Sequence, residues 1–275
     1  MTNDPVTSGG NIPLDYAPPV ADLLALGQGK SYFENTWSKY LEKGFTNEHI
    51  PELIRMMTDD SLLWADQESS EVWAPLHAWR ILGQLRAQAA IGPIIGMLHY
   101  LDERQDDWMA DELPLVLGLI GAAAIFPLRS YLINESNGPC ARETSASALK
   151  EIAIRDPHAY DECVSVLIQQ MDAFAANSED LNGSLVSAFL DLGAAEAVPS
   201  IKCAFDANAI PYYFVGDWED VLIGFGLLEK RLTPEPKDPW IEQIQQLVDT
   251  RSEGEKASKV SMSSKTRKRR RKRKK

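Results

Sequence analysis

The histidine-containing motifs offer little catalytic chemistry. His99 precedes Asp102 and Glu103 by three and four residues, so one helical face could present an imidazole beside two carboxylates. This arrangement would suit a proton relay or half of a metal site. We expect instead that a helix ends near His99, where the ring favours the helix dipole. His77 lies near the start of an apolar helix, where we expect a hydrogen-bonded structural histidine.

The remaining motifs give no reactive centre. The three cysteines, Cys140, Cys163 and Cys203, are widely spaced and form no CxxC pair, so we expect reduced, partly buried thiols. The sequence contains no phosphate-binding lysine loop, no nucleophile elbow and no HExxH zinc motif. We therefore predict a protein that is not an enzyme, with no catalytic residue, no metal site and no cofactor.

One stretch combines aromatic rings with carboxylates. As a protein-binding patch, it would offer rigid aromatic anchors ringed by acidic groups and would suit a basic peptide partner. The alternative is the core-facing corner and N-terminus of a late helix, because aromatic residues at such a spacing usually pack. This aromatic–acidic patch consists of Tyr212, Tyr213, Asp217, Trp218 and Glu219.

The end of the sequence is strongly basic. Residues 254–275 carry 12 Lys/Arg and one acidic residue, whereas residues 1–253 carry 16 Lys/Arg and 39 Asp/Glu, a balance of −23. A block of like charge is typical of an interaction tail, and so few apolar residues favour disorder. The predicted polyanion-binding residues are Lys265, Arg267, Lys268, Arg269, Arg270, Arg271, Lys272, Arg273, Lys274 and Lys275.

Four interpretations of this tail remain open. It could bind nucleic acid, act as a nuclear localisation signal in a eukaryote, fold back on the acidic body, or only increase solubility. No aromatic residue is interleaved with the basic ones, so base stacking is not possible. We therefore expect any nucleic-acid binding to be insensitive to base sequence.

The sequence favours a soluble protein. The N-terminal 19 residues lack the charged and apolar regions of a signal peptide. The longest apolar stretch, residues 113–128, is interrupted by Pro114 and Pro127 and is too short to cross a bilayer. We expect a cytoplasmic location, or a nuclear one if the source is eukaryotic, and no integral membrane association.

Helical repeats are the elements that would position these groups. A cap at Thr46 opens a segment with apolar residues at helical spacing. From about residue 73, similar segments follow one another, each with a glycine, an alanine-rich turn and a proline. The prolines Pro93, Pro127 and Pro199 are 34 and 72 residues apart, so a degenerate copy is expected over 146–171.

Each repeat predicts a pair of helices. The first helix ends near the glycine, and the proline lies in the first turn of the second helix, where backbone N–H groups have no intrahelical partner. Such pairs bury their apolar faces only by stacking, which predicts an all-α fold, an α-solenoid. We expect a disordered lead-in over 1–17, a solenoid domain over 18–251 and a disordered basic tail over 252–275.

Three segments resemble the short HEAT-like repeats of bilin lyases: Leu82–Leu98, Leu117–Leu132 and Phe189–Phe205. Pro75–Ala78 and Asp111–Pro114 further resemble a bacterial family of HEAT-like proteins with no assigned function. Some members of that family carry a C-terminal, cysteine-rich SEC-C metal-binding motif. That motif is absent here, and a Lys/Arg run stands in its place, so the resemblance implies no metal site.

The sequence therefore predicts a binding protein. A HEAT-like solenoid would present an extended surface to a protein partner, and the tail would bind nucleic acid or another polyanion. The alternative is an enzyme on a HEAT-like scaffold, resembling a bilin lyase or a DNA glycosylase. A glycosylase requires a cationic groove, and the acidic body does not favour one.

Overall fold

The computed structural model describes residues 15–29, 34, 37–104 and 106–235, and every regular element in them is a helix. The predicted all-α class is therefore confirmed for this part of the chain. Two compact units are distinguished, Met1–Phe214 and Val215–Lys275, and each is described by itself. Most of the predicted lead-in and the whole basic tail lie outside the described residues, and the predicted domain limits stay predictions.

The first unit begins with short helices. Turns of 3-10 helix cover Val20–Ala25, Leu41–Lys43 and Asn47–His49, followed by α1 (Ile50–Met57) and α2 (Asp60–Leu63). The predicted helix start at Thr46 is confirmed. Its side chain accepts a hydrogen bond from the backbone of His49, and its N–H donates to His49 Nδ1 at 3.0 Å. This reciprocal cap satisfies backbone groups that the helix leaves unpaired.

Four helix pairs follow at the positions of the predicted repeats. They are α3 (Ala74–Gln84) with α4 (Ile91–Met97), α6 (Asp107–Ile120) with α7 (Ile125–Leu132), α8 (Pro139–Arg155) with α9 (Tyr160–Asp172), and α10 (Glu179–Leu192) with α11 (Val198–Asp206). The degenerate copy is the pair α8 and α9. Shorter helices are α5 (His99–Arg104), α12 (Tyr212–Val215) and α13 (Trp218–Gly224).

The prolines of the repeats lie where the sequence predicts them. Pro93, Pro127 and Pro199 are the third, third and second residues of α4, α7 and α11. An alanine-containing 3-10 turn precedes each of these helices. The proline nitrogen therefore removes no intrahelical hydrogen bond.

The helices of the first unit pack in two series. One series runs α3, α6, α8 and α10, and the other runs α4, α7, α9 and α11, each helix against the next. The two series contact each other mainly through α8, which packs on both α7 and α9. Leu117, Leu128, Leu149 and Leu167 are fully buried in these helices, one from each of α6 to α9. Each of these four helices thus contributes apolar side chains to the core.

Two of the repeat glycines lie just inside the ends of their helices. As predicted, the first helix of each pair ends near a glycine, since α3 and α6 end one and two residues after Gly83 and Gly118. A Cβ on Gly118 would lie 2.8 Å from Glu151 Cβ, so this glycine lets α6 and α8 approach closely. The turns are made further along, at Gly121 and Gly193, whose φ values are +92° and +63°.

The second unit is described up to residue 235. Asp217 caps α13 and accepts from Asp220 N at 3.1 Å, while Asp220 accepts from Asp217 N at 3.0 Å. Arg231 forms ion pairs with both carboxylates. These contacts close the loop that follows α13 onto the start of the helix.

Among the described residues, no single helix is long and apolar enough to cross a bilayer. Only α6 and the segment Ala122–Leu132 taken together have the length and apolar composition of a span, and the chain bends by 115° between them.

Candidate functional site

The tyrosines of the predicted aromatic–acidic patch belong to the first unit. Tyr213 is 68% exposed, and its hydroxyl donates a hydrogen bond to Asp180. Tyr212 is half-buried. Phe214 packs on Gly183 of α10, since a Cβ there would lie 2.4 Å from the phenylalanine ring. Tyr213 is therefore the most exposed of the three aromatic residues in this short helix.

The acidic residues of the patch belong to the second unit. Asp217 is held by its cap and by Arg231. Glu219 accepts hydrogen bonds from Leu232 N at 2.8 Å and from Thr233 N at 3.2 Å. Trp218 is half-buried at the start of α13. Both carboxylates thus have partners within their own unit, and a single surface formed by all five residues stays a prediction.

A cleft that the sequence did not suggest opens beside α3 and the start of α6. Its volume is about 470 Å³, within the range of pockets that bind ligands. Trp73, Trp79 and Trp108 line it, and we call it the tryptophan cleft. The rings of Trp73 and Trp108 are 5.5 Å apart between centroids, and their planes meet at 78°. This edge-to-face contact gives the cleft a firm aromatic wall.

A buried ion pair lies behind the cleft. Arg80 and Glu112 are 2% and 0% exposed, and Arg80 Nε donates to Glu112 Oε2 at 2.8 Å. A second guanidinium nitrogen binds the other carboxylate oxygen. Trp79 Nε1 donates to Glu112 Oε2 at 2.8 Å. Burial raises the pKa of Glu112, and the hydrogen bonds from Arg80 and Trp79 oppose that rise.

Aromatic faces surround the Arg80 guanidinium. Its carbon lies 5.2 Å from the ring centroid of Trp37 and 5.8 Å from that of Trp108. A Cβ on Gly29 would lie 2.4 Å from Arg80 Nη1, so the backbone also closes on this group. The guanidinium is therefore held on several sides, and Trp79 and Glu112 are held with it.

Charged side chains line the opening of the cleft. Glu68, Asp106 and Asp107 contribute carboxylates, and Arg104 contributes the one cation among the described lining residues. The Arg104 guanidinium lies 4.3 Å from the Trp64 ring, and one of its nitrogens donates to a backbone carbonyl. Its Nη1 is buried with no hydrogen-bond partner among the residues that the structure describes.

The sequence contains a signal for this cleft. Five of the seven tryptophans fall between residues 37 and 108, far above their share of the chain. Trp79 is buried in α3, and Asp106 caps α6 through Met109 N at 3.1 Å. Neither local role indicates that the two residues line one cleft.

Carboxylates also gather near α8. Asp102 accepts hydrogen bonds from Cys140 N at 2.9 Å and Ala141 N at 3.2 Å, so it caps this helix. Glu143, one turn further, has only the Ser184 hydroxyl at 3.5 Å as a described hydrogen-bond partner. Desolvation, followed by the charges of Asp180 and Asp102, raises the pKa of Glu143 to about 7. Glu143 therefore exchanges its proton near neutral pH.

The two singled-out histidines have structural contacts. His77 Nε2 donates to Gly27 O at 2.8 Å and Nδ1 lies 2.6 Å from Tyr40 OH, which confirms a hydrogen-bonded structural histidine. Burial lowers the pKa of His77 to about 4. The expected helix end near His99 is confirmed, because α4 ends at Met97, and His99 itself begins α5. Its Nδ1 donates to Gly96 O at 2.7 Å, because the chain bends between α4 and α5 and turns the ring back onto α4.

The cysteines are all free, and Cys163 is buried whereas Cys140 and Cys203 are exposed. Desolvation and the carboxylates of Asp102 and Glu143 raise the pKa of the Cys140 thiol. The thiolate is thus disfavoured even though Cys140 lies at a helix N-terminus. Within the described ranges, no three His, Cys, Asp or Glu side chains are grouped to hold a metal ion.

A groove of about 490 Å³ runs between α7 and α9. Phe126 lies on its edge and is 74% exposed. Val166 and Ile168 add apolar surface, and Glu162 and Asp172 add carboxylates. This groove presents an exposed aromatic side chain next to a concave surface that is mostly polar.

Comparison of this chain with protein-family models, curated proteins and solved structures gave no match. The resemblance to HEAT-like proteins therefore stays a prediction, and function has to be argued from the geometry.

Proposed function

We propose that this protein is a non-enzymatic binding scaffold that uses no cofactor. Its helix pairs form a HEAT-like α-solenoid that binds a protein partner, and its basic tail binds nucleic acid or another polyanion. It acts in the cytoplasm, or in the nucleus if the source is eukaryotic.

The packing order of the first unit supports the solenoid. Successive helix pairs contact their neighbours in two parallel series, as units of repeat proteins do. Such stacks leave long surfaces between adjacent helices, which suit the binding of another chain more than the enclosure of a substrate.

The exposed Phe126 beside the α7–α9 groove is the observation that carries the proposal. The Phe126 ring is 74% exposed, so a partner that covers it removes apolar surface from water and gains binding free energy. A groove between two packed helices accepts the apolar face of a third helix. The proposed occupant is an amphipathic helix of a partner protein, with its apolar face on Phe126 and Val166.

The enzyme alternative receives no comparable support. A DNA glycosylase would need a cationic groove, but Glu162 and Asp172 line this one together with Arg129. Arg129 is moreover engaged, since it donates to Gln169 Oε1 at 2.9 Å. We therefore propose binding without catalysis.

The test replaces Phe126 by a photo-crosslinking amino acid in the cells of origin and identifies crosslinked proteins by mass spectrometry. We expect one partner to be enriched at position 126, and Phe126→Ala to weaken its affinity by about tenfold or more. Ile154, 52% exposed on α8 and absent from the groove lining, is the matched control for both changes. Equal crosslinking from positions 126 and 154, or equal affinity of the two alanine variants, would contradict the proposal.

A further inference from the structure

We propose that the tryptophan cleft binds a basic peptide segment of a partner protein. An arginine or lysine side chain of the peptide lies against Trp73 and Trp108 and faces the carboxylates at the opening. Arg104 donates a hydrogen bond to a carbonyl of the peptide backbone. This site is separate from the α7–α9 groove and does not depend on it.

The aromatic walls favour a cationic side chain. Cations are attracted to the faces of tryptophan rings, and more strongly where water is excluded. Trp73, Trp79 and Trp108 line the cleft, and the Arg80 guanidinium carbon lies 5.8 Å from the ring centroid of Trp108. Trp73 and Trp108 are both partly exposed, so they offer aromatic surface to a ligand cation.

The charge of the opening favours the same ligand. Glu68, Asp106 and Asp107 carry three negative charges, and Arg104 carries one positive charge. Behind the wall, Arg80 and Glu112 neutralise each other. The net charge facing a ligand is negative, and the acidic body of the protein adds a long-range attraction for cations.

The buried nitrogen of Arg104 indicates what else the ligand supplies. A buried donor without an acceptor costs stability. Arg104 lines the cleft and its Nη1 is such a donor, shielded from solvent, so the side chain has to turn toward the cleft before a ligand meets this nitrogen. A backbone carbonyl is an acceptor that every peptide carries and that adds no negative charge. A peptide with a basic side chain therefore satisfies both the carboxylates and Arg104, whereas a simple cation satisfies only the carboxylates.

The wall is fixed before the ligand arrives. Trp79 is 3% exposed and is bonded to Glu112, which in turn binds Arg80 through both oxygens. Few side chains have to become ordered on binding, so little of the binding free energy is lost to that ordering.

The test uses the full chain and a nine-residue peptide of glycine and serine with one central arginine, acetylated and amidated at its ends. Binding is followed by calorimetry and by the indole N–H signals of ¹⁵N-labelled tryptophans. The matched control peptide carries citrulline, which has nearly the shape of arginine without the charge. We expect citrulline to weaken binding tenfold or more and the arginine peptide to shift several indole signals.

Substitutions locate the site. Trp73→Ala and Asp107→Asn should each weaken binding of the arginine peptide by fivefold or more, and Phe126→Ala should not change it. Asp107 is exposed, so its variant reports on binding even if Trp73→Ala does not fold. Equal affinity for the arginine and citrulline peptides, or wild-type affinity of the folded Asp107→Asn variant, would overturn the proposal. Because the cleft is tested with a defined peptide, its outcome is independent of the crosslinking result at Phe126.

Discussion

At the scale of residues, Glu112 and Glu143 show how neighbouring groups determine the ionisation of a buried carboxyl group. Glu112 is fully buried but accepts hydrogen bonds from Arg80 and Trp79. Glu143 is half-buried and faces a hydroxyl and two carboxylates instead of a cation. A carboxylate without a cationic partner is stabilised by taking up a proton. The cost of burial is therefore offset by pairing at one site and by protonation at the other.

The pH dependence of stability should report on Glu143. Its pKa is raised from 4.5 to about 7 in the folded protein, so the folded state binds a proton more tightly than the unfolded chain does. The stability that the folded protein gains from this tighter proton binding is fully present below pH 4.5 and is lost as the pH rises through about 7. Between pH 5 and 8 we expect the free energy of unfolding of the wild type to fall by about 1–2 kcal/mol relative to that of Glu143→Gln, after allowance for solvent screening.

Urea denaturation of both proteins at several pH values measures this difference. Glu48, which is exposed, provides a control through Glu48→Gln, which should leave the pH profile of the wild type unchanged. Parallel profiles for the wild type and Glu143→Gln would show that the side chain is not protonated near neutral pH.

At the scale of elements, small residues set the distance between helices. Gly118 allows α6 to pack against α8, and Gly183 of α10 leaves room for the Phe214 ring. Glycine lowers the stability of an isolated helix, so its presence inside these helices is explained by packing and not by helix propensity. At these two positions the missing Cβ allows the close approach of the neighbouring side chain.

Alanine substitutions separate the two effects of glycine. In Gly183→Ala the new Cβ would lie 2.4 Å from the ring of Phe214. We therefore expect the free energy of unfolding to fall by about 1–3 kcal/mol, although alanine has a better helix propensity than glycine. Gly96 lies in α4 with no atom within 4 Å of the equivalent Cβ. Gly96→Ala should stabilise the protein by about 0.5–1 kcal/mol. Thermal or urea unfolding measures both, and a stabilising Gly183→Ala would contradict the close packing.

At the scale of the whole molecule, charge is divided along the sequence. Residues 1–253 have a balance of −23, and ten of the last eleven residues are basic. A body with this charge repels nucleic acid, so any affinity for a polyanion must reside in the tail. The proposed scaffold therefore assigns protein binding and polyanion binding to different parts of the chain.

Salt dependence should distinguish the tail from the body. If ten cations contact phosphates, the logarithm of nucleic-acid affinity should fall with the logarithm of salt concentration with a slope as steep as about −7 to −9. Deletion of residues 252–275 should abolish this binding and leave the partner crosslinked at Phe126 in place. A variant with Lys and Arg of 265–275 replaced by Gln keeps the length and should behave like the deletion. Salt-sensitive binding by the truncated protein would exclude this assignment.

The sequence by itself determined the helical class, the cap at Thr46, the prolines that open α4, α7 and α11, and the hydrogen-bonded state of His77. Caps and helical periods depend on residues within a few positions of one another, so they are visible in the sequence. The separation of charge also follows from residue types alone.

Only the tertiary structure decided which distant residues meet. Trp79 and Glu112 are 33 residues apart, Asp102 and Cys140 are 38 apart, and Glu143 and Ser184 are 41 apart. Such contacts depend on the rotation and spacing of neighbouring helices, which side-chain packing sets. The tryptophan cleft, the raised pKa of Glu143 and the packing role of the interior glycines arise at this level, because each needs two helices in a defined orientation.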